Sequence, residues 1–393
     1  MILQKNFSFF LKFALMLFLF SSSVYGDVTI DNDGGLVVEK DDMEFEINGL
    51  LMWDFNLFDG AHLEDPDATN LEDDFQVRRA RLTLKGKSRS DWQAKLHINF
   101  LRKEALGDNS VEIGDAYIKY NGWDFADIFI GQHKELFGFE RITSSKDTTF
   151  IERAMCVNAF SPGRQPGLSL KGAADSFFWS GGVYRIQERD EEIDQYAVTG
   201  RLAFNPVQDE HSLLHLGIAG SARDYSGEEF KIEETAEIYT AKEAITSDMD
   251  IESESVYLLG LEAALIKGPF SFQSEYIMAS VNAISADNTD YSGYYIQGSY
   301  FITGELKSYK KGTMGSVESE SDKAIFEIAY RYSSLDARDN NTGIKGINHT
   351  LGLNIYFDQQ VRLMTNYINT RLKGDVEGES NGNAFLIRLQ YGF

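Results

Sequence analysis

Residues 90–100, SDWQAKLHINF, alternate without a break: Trp92, Ala94, Leu96, Ile98 and Phe100 are apolar, and Gln93, Lys95, His97 and Asn99 between them are polar. A period of two is the mark of a β-strand with one dry face and one wet face. The same reading predicts strands over 45–57, 75–88, 91–101, 111–121, 125–134, 166–172, 176–186, 194–205, 211–222, 254–266, 269–281, 291–303, 323–334, 347–357, 360–371 and 383–393, an even total of 16. Between them, short connections such as SRSD, NGWD, GAADS, NPVQDE, KGP and DQQ alternate with long ones at 58–74, 102–110, 135–165, 187–193, 223–253, 282–290, 335–346 and 372–382; only 304–322 breaks the rule. Tight turns at one rim and long loops at the other are the organisation of a transmembrane barrel. A soluble sandwich has no reason to sort its loops this way.

The bulky aromatics decide which face is inside. Phe45, Trp53, Phe55, Trp92, Phe100, Tyr294, Tyr300, Phe326, Tyr330, Phe385 and Tyr391 share the apolar set, opposite Arg79, Arg81, Lys85, Lys95, Lys119, Gln297, Glu327, Arg331, Arg388 and Gln390. Sixteen strands enclose a hole too wide for side chains to fill, so an inward aromatic face would leave a void. Aromatics are therefore expected to face lipid and charges to face water. The five prolines, at 66, 162, 166, 206 and 269, all fall in turns, in loops or at a strand's first residue, where no ladder hydrogen bond is lost.

The first residues change the compartment. Lys5 and Lys12 precede an apolar run, Phe13–Phe20, and small residues lead to a cut after Gly26, the pattern of a secretory signal peptide. The run is too short to span a bilayer as a helix, and no later stretch is long and apolar enough. The expected organisation is a signal peptide over 1–26, a short periplasmic N-terminal segment over 27–44 and the barrel over 45–393. The single cysteine, Cys156, cannot form an internal disulfide, so an exported chain of this size needs another device to hold it, and a closed sheet supplies one. The formal charge is −24, which argues against nucleic acid as a partner.

At the far end, AFLIRLQYGF alternates up to a terminal Phe393, similar to the closing strand of outer-membrane barrels. The stretches FQVRRARLTLKGKSRSDWQAKLHINF (75–100), VEIGDAYIKYNGW (111–123), IFIGQHKELFGFERITSSKDTTFIERAMCVNAFSPGRQPGLSLKG (128–172), GYYIQGSYFITGELKSYKKG (293–312), FEIAYRYSSLD (326–336) and LGLNIYFDQQVRLMTNYINTRL (351–372) resemble the phosphate-selective porin O and P family. The resemblance implies an all-β, 16-stranded antiparallel transmembrane barrel in the Gram-negative outer membrane, in contact with lipid and lipopolysaccharide. It also implies a homotrimer, no cofactor, and an inward-folded constriction loop after the fifth strand. By motif, Arg78 and Arg79 of VRRAR would stand near the pore entrance, and Asp115 of GDAYI and Lys146 of TSSK at or near the constriction. The anomalous connection 304–322 fits the family at TGELKSY, whereas 223–253 matches nothing in it.

Face assignment by itself puts Arg79, Arg81, Lys85, Lys95, Lys119, Lys171, Arg201, Arg331, Arg362 and Arg388 inside, against Glu46, Asp54, Asp115, Glu262, Glu275 and Glu327. The lumen is thus expected to be net positive within an acidic chain, with low-dielectric walls focusing that field on a passing anion. The segment 134–164 adds Lys134, Arg141, Lys146, Arg153 and Arg164 against Glu135, Glu140, Asp147 and Glu152. Guanidinium groups suit phosphate oxygens bidentately and lysine acts as a point charge; the competing reading of each residue is an ion pair that fastens the segment to the wall. Residues 223–253 hold ten acids and three bases and are read as a solvated external loop that would repel anions at low salt.

The expected function is passive diffusion of small anions, with phosphate or polyphosphate the expected permeant. The alternatives are a general or cation-preferring porin on the same scaffold and, from another class, a plugged barrel acting as a surface binding protein or enzyme. Enzyme and metal signals are weak. HExxH, GxSxG and the P-loop are missing, and DNDGG at 31–35 fails as a calcium loop because Leu36 and Asp42 stand at its glycine and twelfth positions. His211 and His215 lie four apart with no third ligand nearby, and nothing marks Cys156 as a stabilised thiolate.

Overall fold

Every predicted alternating stretch becomes a strand. A computed structural model describes residues 27–30, 35–40, 42–63, 71–88, 90–100, 111–186, 195–247, 251–317, 323–339, 342–374 and 379–393; the expected signal peptide and residues 31–34 of DNDGG lie outside them. The barrel strands are Met43–Phe58, Glu72–Ser88, Trp92–Asn99, Glu112–Tyr120, Asp127–Lys134, Arg164–Ala174, Phe177–Ile186, Gln195–Gln208, Ser212–Asp224, Ile251–Lys267, Phe270–Ala283, Thr289–Phe301, Ile325–Asp336, Lys345–Tyr356, Val361–Lys373 and Glu379–Gly392. Each pairs antiparallel with the next, and the last returns to the first, with Arg388 opposite Asp54 and Leu389 opposite Trp53. Closure removes the unpaired edges that would otherwise need burial. The strand ends differ from the predicted ones mainly by growth of two to four residues toward the long loops.

A hairpin, Asp27–Ile30 with Leu36–Lys40, adds to the near end of the first strand, where Leu36 faces Ile47 and Lys40 faces Met43. The carboxy-terminal residue closes the same rim: the Gly49 and Phe393 amides donate to each other's carbonyls at 2.7 and 3.0 Å. The Phe393 ring lies where any side chain at Gly49 would have to go.

Trp92, Phe45, Tyr294, Tyr300, Phe326, Tyr330 and Phe385 are exposed on the outer face while Glu327, Arg331 and Arg388 are fully buried inside, as the face assignment requires. No helix among the described residues is long and apolar enough to cross a membrane; the crossing is made by strands. The lumen nevertheless holds aromatics: Tyr184, Tyr295, Phe301 and Tyr356 are buried there. The void argument fails for them because three chain segments enter the lumen and supply packing partners.

The first segment is 135–163. Its Phe139 and Glu140 amides donate to the Glu275 carboxylate at 2.6 and 2.7 Å, and the Ile151 amide donates to Asn366 at 2.9 Å. The Thr148 and Thr149 carbonyls accept from Arg362 and Asn354 at 2.9 and 3.0 Å. All four partners sit on strands from the second half of the chain, so the segment crosses the barrel.

The second segment corrects the expectation of a solvated acidic loop. Residues 225–247 fold over the same interior: Asn348 donates to the Ala236 carbonyl at 2.7 Å, Arg331 pairs with Glu237 at 2.5 Å, and Asn56 donates to Thr240 at 3.2 Å. Glu234 and Glu237 are buried and only part of the acidic excess, including Glu229, Glu233 and Glu243, is exposed. Composition showed the charge but not the arginine that offsets some of it. The third segment, the hairpin Lys307–Lys310 with Thr313–Val317, accounts for the anomalous long connection. It enters from the short-turn rim, where Tyr309 donates to Asn205 at 3.0 Å and Arg201 donates to the Gly312 carbonyl at 3.0 Å.

Candidate functional site

The three segments leave a cavity of about 2660 Å³ against the wall formed by strands Glu72–Ser88 to Arg164–Ala174. Fourteen lysines and arginines line it against nine carboxylates. Of the predicted site residues, Arg78, Arg79, Arg81, Lys85, Lys95, Asp115, Lys134, Arg141, Lys146, Arg153 and Arg164 line this space. Lys119 does not: it faces the lumen near the short-turn rim and binds Asp127 at 3.4 Å, outside the cavity lining.

How Arg78 and Arg79 both come to face inward is a matter of register. Met52 pairs with Arg79 but its neighbour Trp53 pairs with Val77, so Arg78 is the extra residue of a β-bulge. A bulge puts two successive side chains on one face, which strict period-two reading cannot foresee. Neither arginine is free. Arg78 grips Glu152 at 2.9 and 3.2 Å and lies 3.5 Å from the Tyr239 ring centre; Arg79 is buried, 3.8 Å from Glu152. Burial alone would raise the Glu152 carboxyl, but Arg78, Arg79 and Arg388 hold it well below the usual range.

A second group keeps its charge available. Arg81 donates to the Ser145 hydroxyl at 2.9 Å, Lys134 to the Arg141 carbonyl at 2.9 Å, and Arg141 to the Pro162 carbonyl at 3.0 Å. Arg153 donates to the Glu140 and Thr143 carbonyls at 3.0 and 2.8 Å. These are oxygen partners without formal charge; among the described residues none of the four has an ion-paired carboxylate. Nearby, Lys95 and Arg164 share one carboxylate, Asp115, at 2.7 and 2.6 Å. Burial beside Arg153 and Arg164 pushes Arg141 down to about 9, and Arg153 is lowered by burial as well. A cation whose charged form is disfavoured gains from any anion that approaches.

The inward cations of the second half are spent otherwise. Arg201 forks onto Glu262 at 2.7 Å through both contacts, Arg388 pairs with Asp54 at 2.6 Å, and Arg331 pairs with Glu237. Arg362 holds the 148–149 carbonyls and lies 3.8 Å from the buried Glu327 carboxylate. For these the ion-pair reading prevails. Several lining groups, Lys242, Lys307, Lys310 and Tyr239, escaped sequence reasoning because they sit on inserted segments; the anomalous length of 304–322 was the one signal pointing to two of them. His211 is exposed in a turn while His215 is buried against Glu262 and Asn205, so the two do not converge. No group of three metal-ligating side chains occurs among the described residues.

The family model for the phosphate-selective porin O and P proteins matches residues 45–393. The chain belongs to that family. Porin O of Pseudomonas aeruginosa is 27% identical over 93% of this chain and 93% of its own length. An uncharacterized protein of Caulobacter vibrioides is 22% identical over 60% of this chain and 51% of its own. Among solved structures, the outer membrane channel DcaP of Acinetobacter baumannii superimposes with a TM-score of 0.58 at 12% identity, covering 90% of this chain and 99% of that one. The anion-selective porin from Comamonas acidovorans gives 0.56 at 10% identity, with 90% and 100% covered; at such identity these two speak to the fold alone. This porin is accordingly an outer-membrane channel protein, and its family is one of pores, not of enzymes.

Proposed function

We propose that this porin is a passive diffusion channel for small anions, phosphate among them, and that the segment 135–163 forms its constriction. Arg81, Lys134, Arg141 and Arg153 are the selectivity residues, with Lys95 and Arg164 beside them. Lys146 contributes to the same positive field, Lys85 is paired with Glu46 at 2.5 Å, and Arg78 and Arg79 act mainly as anchors of Glu152. The observation that carries this reading is the set of lumenal cations held by carbonyl and hydroxyl oxygens instead of carboxylates. Such groups turn their donors to the pore water with no carboxylate to neutralise them, where a ring of like charges sets ion preference. The phosphate selectivity for which the family is named points the same way. A homotrimer suits a barrel of this type; a solved relative in fold, OmpT of Vibrio cholerae, is known in a trimer form.

The test is chloride conductance through single channels in a planar bilayer with phosphate added. The expected result is concentration-dependent inhibition that weakens when Arg141 and Arg153 are both changed to Gln. Conductance indifferent to phosphate in both proteins contradicts the assignment.

A further inference from the structure

Below the cations the same wall carries rings. Tyr117 and Phe129 project into the cavity from neighbouring strands, with their ring centres 5.3 Å apart and edge to face. His133 continues the strip, 5.7 Å from Phe129. The inward position between Phe129 and His133 is Gly131, at φ +121°; its cross-strand partner Tyr117 lies edge-on to both rings, 6.0 Å from His133, and the Tyr117 and Phe129 rings stay half-exposed to pore water. Positive charge brackets the strip. Lys95 lies 6.0 Å from the Tyr117 ring centre and is tied with Arg164 to Asp115, two residues along the same face. At the other end Lys171, whose backbone pairs with Asp127, lines the cavity.

We infer that this strip is a binding surface for organic anions with a flat aromatic body, above all aryl carboxylates. The ring packs against Phe129 and Tyr117, face to one and edge to the other, while the carboxylate meets Lys95 and Arg164. The Lys95 ammonium stands 6.0 Å from the Tyr117 ring centre, so the carboxylate of a ring packed on that strip comes within reach of the cation while the ring keeps its aromatic contact. A compact inorganic anion uses only the cations; an aryl anion uses both features, and stacking on an aromatic face adds affinity that an acetyl group lacks. The inference rests on the anion-channel reading and extends its substrate class.

Block of single-channel chloride current by benzoate and by acetate, which share a carboxylate and differ in the ring, is the experiment. Benzoate is expected to half-block at a concentration about tenfold below acetate's. In Phe129→Ala and in Tyr117→Ala the two anions should come within about twofold of each other, with inhibition by inorganic phosphate retained. Equal potency of benzoate and acetate in the native protein overturns the inference, and that result needs no variant to fold. So does a preference for benzoate that survives both substitutions. The zero-current potential recorded in the same bilayers separates the two failures: an anion-selective channel without benzoate preference loses this inference alone, and a cation-selective one loses the channel reading beneath it.

Discussion

Two walls of one barrel carry similar inward charges and put them to different use. On the wall from Glu72–Ser88 to Arg164–Ala174, the cations border the open cavity and several meet only carbonyl or hydroxyl oxygens. On the wall from Phe270–Ala283 to Glu379–Gly392, Arg331, Arg362 and Arg388 are fully buried and serve as clamps on the inserted segments. The residues are of the same types and obey the same alternation. What differs is which wall the segments 135–163, 225–247 and 302–317 lie against. A lumenal charge acts on permeating ions only where water remains in front of it; elsewhere it becomes mortar.

The contrast predicts effects of decreasing size. Arg331→Ala removes the cation that joins Glu237, 2.5 Å away, and Glu140, 3.7 Å away. Losing one partner of such a buried set costs about 3–5 kcal/mol. The barrel of this variant should therefore lose its resistance to detergent at a lower temperature in a gel-shift assay, and its channels should become noisier as both segments loosen. Next comes the open wall. A unit charge about 7 Å from a permeating ion in water attracts chloride and repels potassium by ~0.6 kcal/mol each, so each of Arg141→Gln and Arg153→Gln should lower the chloride-to-potassium permeability ratio about sevenfold without comparable loss of stability.

A third prediction concerns pH. Burial, reinforced by neighbouring Glu237, raises Glu234 to about 8, with Thr235 and Asn158 donating hydrogen bonds to it and Glu152 adding further negative charge. Its folded value lies above that of the unfolded chain, so the stability it lends the packed segment is complete below about 4.5 and is lost as pH rises through about 8. Protease cleavage within 225–247 should thus accelerate between about pH 5 and about pH 8, and Glu234→Gln should flatten that rise. The smallest effect is expected at Lys119, outside the cavity and partnered by Asp127. Lys119→Gln should leave the permeability ratio unchanged and cost under about 1 kcal/mol, whereas a shift as large as that of Arg153→Gln would erase the distinction between lining and rim.

The barrel itself was legible in the chain because alternation is local: each strand declares its faces, and sixteen such declarations with sorted loops leave few architectures. The candidate site was legible only where it lies on strands or in a segment whose motif the family shares. Arg78 faces inward through a bulge, a one-residue slip that periodicity cannot register. Glu237 meets Arg331 across 94 residues and Ile151 meets Asn366 across 215; no pattern along the chain announces such pairs. For that reason the acidic stretch read as a solvated loop, and the lysines of the hairpin Lys307–Lys310 went unassigned.

On the proposed reading, a few lumenal cations overrule a formal charge of −24 in setting ion preference. The zero-current potential of the native channel across a potassium chloride gradient at low ionic strength puts this to the sharpest trial, since surface charge then acts at full reach. If the lumenal cations dominate, the potential is displaced toward the chloride equilibrium value. Displacement toward the potassium value would contradict their role.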